Sequence, residues 1–309
     1  MHTHSKFQYS DDEDSQLLQH VYLKRFRPET LNRDSFVAII GKRRQGKTTL
    51  MENIALAMNF PRAVALCGST GSKKYFSKFL LDSYIHEATV EKLRQIMNAR
   101  DKQLKKTPTP QPPEVETLLF IDDIAFSRQF MFSEEMKNLA MNGRHQVFCP
   151  IISIQYLMEM SPSLRGNLDC IFVTRETSRI NRRKLWENWG GCCSTLAHFE
   201  KILDACTQDY GCLVIDCQAK STNYEDCFFH YRANPDLPPW TLGDEDFQRY
   251  HWQGVHRKKQ KTSSNPWPSD MQSPTEVQSQ EYPHAAGTAG TQQQEEIPEI
   301  KREEVQQPS

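Results

Sequence analysis

Short, continuously apolar runs alternate with amphipathic stretches through the middle of this chain. The runs are Phe36–Ile40, Ala63–Cys67, Thr117–Ile121, Val147–Ile154, Cys170–Thr174, Cys212–Asp216 and Cys227–Tyr231. Most lack a polar alternate, which is the pattern of strands covered on both faces. Between them, Leu50, Ile54 and Ala57 share one helical face, and Val90, Leu93 and Met97 share another. Ser133 reads as a helix N-cap, with Glu134 and Glu135 in the first turn and Gly143 as the C-cap. Strand–helix alternation of this kind predicts an α/β fold with a mainly parallel, doubly wound sheet. Residues 107–113 (TPTPQPP) predict a proline-rich loop ahead of the third run.

The two ends read differently. Residues 1–16 are polar and acidic, and 253–309 are rich in Gln, Pro, Ser, Thr and Glu. Neither holds enough apolar surface to offset the entropy of ordering, so both are expected to be disordered tails around one domain, 17–252. The mean hydropathy of -0.68 agrees with a chain partly outside any core. No internal repeat is visible. The N-terminus has acidic residues where a signal peptide needs a basic start and an apolar stretch, and no apolar run approaches the ~20 residues that span a bilayer. The expectation is an intracellular protein with no membrane partner. The nine cysteines lie mostly in apolar surroundings and include no CxxC, which fits a reducing compartment. Cys192, Cys193 and His198 are close in sequence, but no second pair at zinc spacing accompanies them. Lys+Arg total 38 against 39 Asp+Glu, so any contact with nucleic acid must come from local patches.

Chemistry concentrates at Gly41-Lys42-Arg43-Arg44-Gln45-Gly46-Lys47-Thr48, followed by Thr49. This matches the phosphate-loop pattern G-x-x-x-x-G-K-[ST]. Its glycines let successive backbone N–H groups turn inward on phosphate oxygens, and the positive end of the following helix adds to them. Lys47 is expected to reach the β and γ phosphates of ATP, and the Thr48 hydroxyl to ligate Mg²⁺. A glycine turn in a solvated basic stretch is the plain alternative. The preceding VAII and following TLMENIALAM supply the strand–loop–helix context that the phosphate loop requires. LLFID ends in Asp122-Asp123. Carboxylates at the end of an apolar strand sit where such sheets bind ligands. Asp122 is expected in the Mg²⁺ shell and Asp123 as the base that orients or deprotonates the attacking water; the alternative is a pair that opens a loop.

Gln155 ends the fourth run, where an amide can touch the γ-phosphate or serve as an ordinary strand-end residue. Arg144 and Arg165 are candidate arginine fingers, groups that neutralise transition-state charge from a neighbouring subunit; solvated or paired arginines are the alternative. Arg175–Lys184 and Lys73–Lys74 hold local basic excess, suited to a DNA backbone or to a solvated helix face. Arg257–Lys261 is a weaker basic patch in the tail.

With FVAIIGKRRQGKT, LLFIDD, MNGRH, SIQYLMEMSPSLRGNLDCIFV and the late LVIDCQAKS–FFHYRA block in hand, residues 20–235 resemble the viral genome-packaging ATPases of the FtsK–HerA superfamily. The likeness is greatest to the poxvirus-type packaging ATPases of large double-stranded DNA viruses and related elements. The resemblance implies a RecA/ASCE-like P-loop NTPase that hydrolyses ATP with Mg²⁺ and self-associates into a ring. It further implies translocation of double-stranded DNA, contact with a capsid or portal-like viral protein, and work at virion assembly sites in the host cytoplasm or nucleus. One departure bears on the mechanism: the superfamily usually has Glu where this chain has Asp123. Lys42, Arg43 and Arg44 also stand where many relatives have smaller residues.

Other function classes remain in view. A nucleotide or small-molecule kinase needs an acceptor site and an arginine-rich lid, and no acceptor site is evident. A GTPase-like switch needs an NKxD motif, which is absent. An ATP-holding scaffold is disfavoured by intact Lys47, Thr48 and Asp122. A cellular or plasmid translocase of the same superfamily shares the motor chemistry and is the nearest rival.

Overall fold

A computed structural model describes residues 4–5, 23–106, 113–124, 128–249 and 251. Apart from His4–Ser5, the expected disordered tails lie outside the described residues, as do 107–112 of the proline-rich loop and the basic patch at 257–261. In chain order the strands are β1 (His4–Ser5), β2 (Leu23–Arg25), β3 (Val37–Ile40), β4 (Arg62–Cys67), β5 (Ile85–Glu87), β6 (Thr117–Asp122), β7 (Phe148–Ile154), β8 (Cys170–Val173), β9 (Gly211–Asp216) and β10 (Phe228–Arg232). The helices are α1 (Lys47–Met58), α2 (Thr70–Phe76), α3 (Val90–Leu104), α4 (Arg128–Met131), α5 (Glu134–Asn142), α6 (Pro162–Arg165), α7 (Arg179–Trp189), α8 (Leu196–Cys206) and α9 (Tyr224–Cys227).

All the strands join one ten-stranded sheet in the order β1-β2-β10-β9-β8-β3-β7-β6-β4-β5. From β8 to β5 every pairing is parallel. β9 and β10 extend it with antiparallel pairings, and β2 returns to parallel against β10. The expected mainly parallel α/β fold is therefore the observed one, with an antiparallel extension on one flank. β7 lies between the strand that precedes the 41–48 loop and the strand that ends at Asp122, so both open onto one crevice.

Successive residues of a strand face opposite ways, and here both faces are apolar. Ala38, Ile40, Leu119, Ile121, Ile152 and Ile154 pack in one core with Leu93, Met97, Met136, Leu139 and Phe199 from α3, α5 and α8. Val37, Ile39, Leu118, Phe120 and Ile151 pack in a second core with Leu50, Met51 and Ile54 of α1 and Phe76 of α2. The α1 face differs in one residue from the sequence pattern: Ala57 is exposed, and the buried stripe is Leu50, Met51, Ile54, Ala55 and Met58. Ser133 caps α5 as expected, its side chain accepting from Met136 N. Gly143 sits at the C-cap in right-handed backbone and carries the chain into a 3₁₀ turn.

Residues 233–249 form a strap after β10 that crosses the α1 face to the opposite flank. Asn234 and Asn53 of α1 exchange two hydrogen bonds, at 2.8 and 2.9 Å. Trp240 stacks on Phe79 at 5.2 Å and donates to Glu52 of α1 at 3.3 Å. Phe247 stacks on Tyr84, beside β5, at 3.9 Å. Trp240→Ala removes a stacked ring pair and the area around it. We expect a loss of about 2 kcal/mol, which is about 4–8 °C in melting temperature for a domain of this size. Thermal unfolding followed by circular dichroism checks it, and an unchanged melting temperature would show that the strap carries no stability.

Candidate active site

After β3 the chain turns through Gly41–Gly46 into α1. The turn needs left-handed backbone, at Gly46 (φ 76°), where glycine carries no steric penalty, and at Arg44 (φ 62°), where a side chain must tolerate it. Gly41 N donates to Ile154 O at 3.1 Å, which pins the start of the loop to the end of β7. Lys47 folds back over the loop and donates to Lys42 O at 3.0 Å. Burial lowers the Lys47 pKa below the usual lysine range, against the upward pull of Asp122, Asp123 and Glu159. Lys42 points away from this centre, to Glu176 at 3.0 Å and Thr177 at 3.1 Å. Burial pushes the Glu176 carboxyl up, but the Ser178 amide, Asn181 and Lys42 together hold it below its ordinary value.

Asp122, the last residue of β6, is 3% exposed. Its Oδ2 accepts from Ser72 Oγ at 2.6 Å and from Thr48 Oγ1 at 3.4 Å, and its Oδ1 accepts from Ser153 Oγ on the neighbouring β7. These three hydroxyls hold the buried carboxylate in one orientation. Asp123 stands at φ 56°, a region that Asp enters more readily than most residues. The turn closes against Gly68, whose N donates to Asp122 O at 2.9 Å. A Cβ at Gly68 would lie 2.0 Å from Asp123 O, so only glycine allows the approach.

A cleft of about 630 Å³ gathers these groups; Lys47, Thr48, Asp122, Asp123 and Gln155 line it, with Arg43 and Arg44 at one side. Gln45, Gly46 and Thr49 line an adjoining cavity, and Gly41 is buried behind the loop. The Gln155 backbone N–H donates to Glu159 Oε2 at 3.0 Å. Burial raises the Glu159 carboxyl pKa against the lowering effect of the Gln155 and Tyr156 amides and of Lys47.

The arrangement fits a Mg²⁺ ion. Thr48 Oγ1 and Asp122 Oδ2 are hard oxygen donors 3.4 Å apart on the cleft wall. Among the described residues no group of three or more His, Cys, Asp or Glu could hold a metal ion. Mg²⁺ does not need such a cage: it is commonly held by one or two protein oxygens, with water and substrate phosphates completing the shell. His198, near Cys192 and Cys193, packs its ring edge-on against Tyr224 at 4.9 Å.

Neither candidate arginine lines the cleft. Arg144 pairs with Asp169, which precedes β8 and also accepts from Phe36 N at 2.7 Å. That places Arg144 at the amino edge of the parallel strands, opposite the cleft. Arg165 ends α6, which Ser161 caps as its start, and donates to Met160 O at 2.8 Å. Sequence reasoning missed Ser72, Ser153 and Glu159. Ser153 had left a trace, as a hydroxyl in an otherwise apolar run; Ser72, fifty residues from Asp122, had left none.

No protein-family model matches the chain. Uncharacterized protein 088R of Invertebrate iridescent virus 3 is 30% identical over 221 residues, 70% of this chain and 83% of the relative. Uncharacterized protein L437 of Acanthamoeba polyphaga mimivirus is 26% identical over 225 residues, 71% of this chain and 78% of its own length. Among solved structures, the genome packaging NTPase B204 from Sulfolobus turreted icosahedral virus 2, in complex with AMPPCP, is 15% identical; the match covers 66% of this chain and 100% of that one, with a TM-score of 0.48. Identity sustained over most of both chains in the first case is shared ancestry: the chain belongs to the protein family of 088R of Invertebrate iridescent virus 3.

Proposed function

We propose that this chain is an ATP-hydrolysing motor that moves double-stranded DNA into a viral capsid. The observation that carries the reading is the convergence of Lys47, Thr48, Asp122, Asp123 and Gln155 on one cleft at the carboxyl edge of the sheet. Residues from three separated segments meet there, and their chemistry is the set that phosphoryl transfer to water uses. Lys47 neutralises the β and γ phosphates. Burial depresses its pKa, and the negative charge of incoming phosphates opposes that effect. Thr48 and Asp122 would hold Mg²⁺, which when bound would screen phosphate charge. Ser72 and Ser153 fix the Asp122 carboxylate so that it needs no reorganisation. Asp123, fixed by its turn, accepts the proton of the attacking water. Gln155, its backbone N–H tied to Glu159, orients that water or reads the γ-phosphate through its side chain.

Relatives in an iridescent virus and a mimivirus favour a viral packager over a cellular or plasmid translocase. The basic segment on and before α7 offers exposed Arg175, Arg179 and Arg183 to a DNA backbone. Arg182 is engaged elsewhere, by Asp204 at 2.9 Å. We further propose a ring in which Arg165 of one subunit reaches the neighbour's site. Arg144 serves that role less well, because it neutralises Asp169, a carboxylate whose side chain is only 7% exposed.

Phosphate release from ATP by the purified protein, with and without double-stranded DNA, is the decisive assay. Hydrolysis stimulated several-fold by duplex and less by single strands is expected. Absence of hydrolysis would overturn the motor. Hydrolysis indifferent to duplex would point to a different ATPase.

A further inference from the structure

Beside the active-site cleft, across the 41–48 loop, lies a separate cavity of about 350 Å³ that the mechanism above does not use. Arg44 belongs to both, so the two are neighbours sharing one wall. The cavity floor is apolar, with Leu50 and Cys212 almost fully buried and Ala233 and Pro235 alongside. The Cys212 thiol is already directed at Tyr231 O, 3.3 Å away. Over the opening stands Tyr210, 73% exposed. Its ring reaches the loop: a Cβ on Gly46 would lie 4.0 Å from Tyr210 Cδ1.

An aromatic side chain left this exposed calls for a cause, and the backbone beneath it is costly. Asp209 (φ 45°) and Tyr210 (φ 61°) are consecutive non-glycine residues in the left-handed region, which is sparsely populated for both and worst for the bulky ring. The turn is locked on its far side. Gly211 N donates to Gln208 O at 2.7 Å, and a Cβ on Gly211 would lie 2.3 Å from Cys206 O. The fold thus holds Tyr210 up at the edge of the loop without burying it.

We infer that this cavity is the base subsite for the purine of the nucleotide, with the Tyr210 ring stacked on the base. The inference rests on the proposed ATP reading of the neighbouring cleft. Thr48 and Asp122 fix the terminal phosphates there, and the loop grips the middle of the chain. The nucleoside must then emerge on the side away from Asp122, past Gly46 and Thr49, which line this cavity. A flat apolar floor and an aromatic cover suit a base and its π-face. Asp209, paired with Arg232 at 3.9 Å on the rim, is placed to accept from a ribose hydroxyl. Recognition is by stacking with few edge contacts, so ATP and GTP bind within a few-fold of each other.

Three variants test this in the full-length protein: Tyr210→Ala, Tyr210→Phe and Tyr210→Trp. Tyr210→Ala is expected to raise KM for ATP and for GTP about tenfold with kcat within twofold, while competition by inorganic tripolyphosphate, which has no base, stays unchanged. Tyr210→Phe keeps the ring and the wild-type KM. In Tyr210→Trp, ATP quenches the new indole fluorescence and tripolyphosphate does not. Circular dichroism confirms that each variant is folded. An unchanged KM in Tyr210→Ala, or equal quenching by ATP and tripolyphosphate, would overturn the base subsite while leaving ATP hydrolysis intact. A wild-type protein that binds no nucleotide would overturn both the subsite and the motor reading.

Discussion

Lys47→Ala is expected to hydrolyse ATP slower than the wild type by about 10²-fold or more. The lysine combines a charge with a half-buried position among Asp122, Asp123 and Glu159. Burial lowers its pKa, and Asp122, Asp123 and Glu159 pull the other way. Bound phosphates add negative charge beside it and favour the ammonium further, so the interaction strengthens as charge develops in the transition state. Removing the side chain leaves that charge facing an apolar methyl group. The alanine leaves the fold intact, because Lys47 contributes one hydrogen bond, to Lys42 O, and α1 keeps its buried stripe. Steady-state phosphate release measures the effect. Rates within a few-fold of wild type would sink the assignment of the loop.

The second large effect separates two adjacent carboxylates. Asp123→Asn is expected to keep nucleotide affinity and to lose turnover by about 10²–10³-fold, since the amide preserves size but accepts no proton. Asp122→Asn is expected instead to weaken Mg²⁺-dependent ATP binding by about tenfold or more. Its carboxylate is the one buried and fixed by Ser72, Ser153 and Thr48. Calorimetric ATP affinity alongside turnover on both variants decides the matter. The structure also names the residue to try if Asp123→Asn remains active. Glu159 has a raised pKa, lies close enough to Lys47 to interact with it, and is tied to Gln155, so Glu159→Gln would then be the inactive variant.

Most of the sheet was legible because its central strands are covered on both faces and therefore read as unbroken apolar runs. The runs predicted at Phe36–Ile40 and Thr117–Ile121 match β3 and β6 to within a residue. β2 and β5 were not legible. They are three-residue segments, Leu-Lys-Arg and Ile-His-Glu, whose strand state comes from pairing with a neighbour and not from their own composition. Ala57 was misplaced because α1 is apolar on most sides, leaving the direction of its core-facing stripe to the packing. In the site, Lys47, Thr48, Asp122 and Asp123 were legible because backbone and chemistry coincide in short motifs. Ser72 reaches Asp122 only through tertiary structure. Tyr210 is marked by a backbone angle, which no residue pattern records.

The strap changes what it means for this chain to be made from one end to the other. Asn53 and Asn234, which clasp one another, are separated by 181 residues. On the ribosome, the helix that bears Lys47 and Thr48 emerges early, and the segment that fastens it emerges near the end of the described residues. Until residues 234–247 have appeared, α1 lacks its bond to Asn234 and its contact through Glu52 to Trp240, and Phe79 and Tyr84 lack their stacked partners. The helix that carries Lys47 and Thr48 is thus fastened only once the strap is in place. A nascent chain interrupted before the strap carries every motif of the cleft, yet the helix behind the 41–48 loop is unfastened.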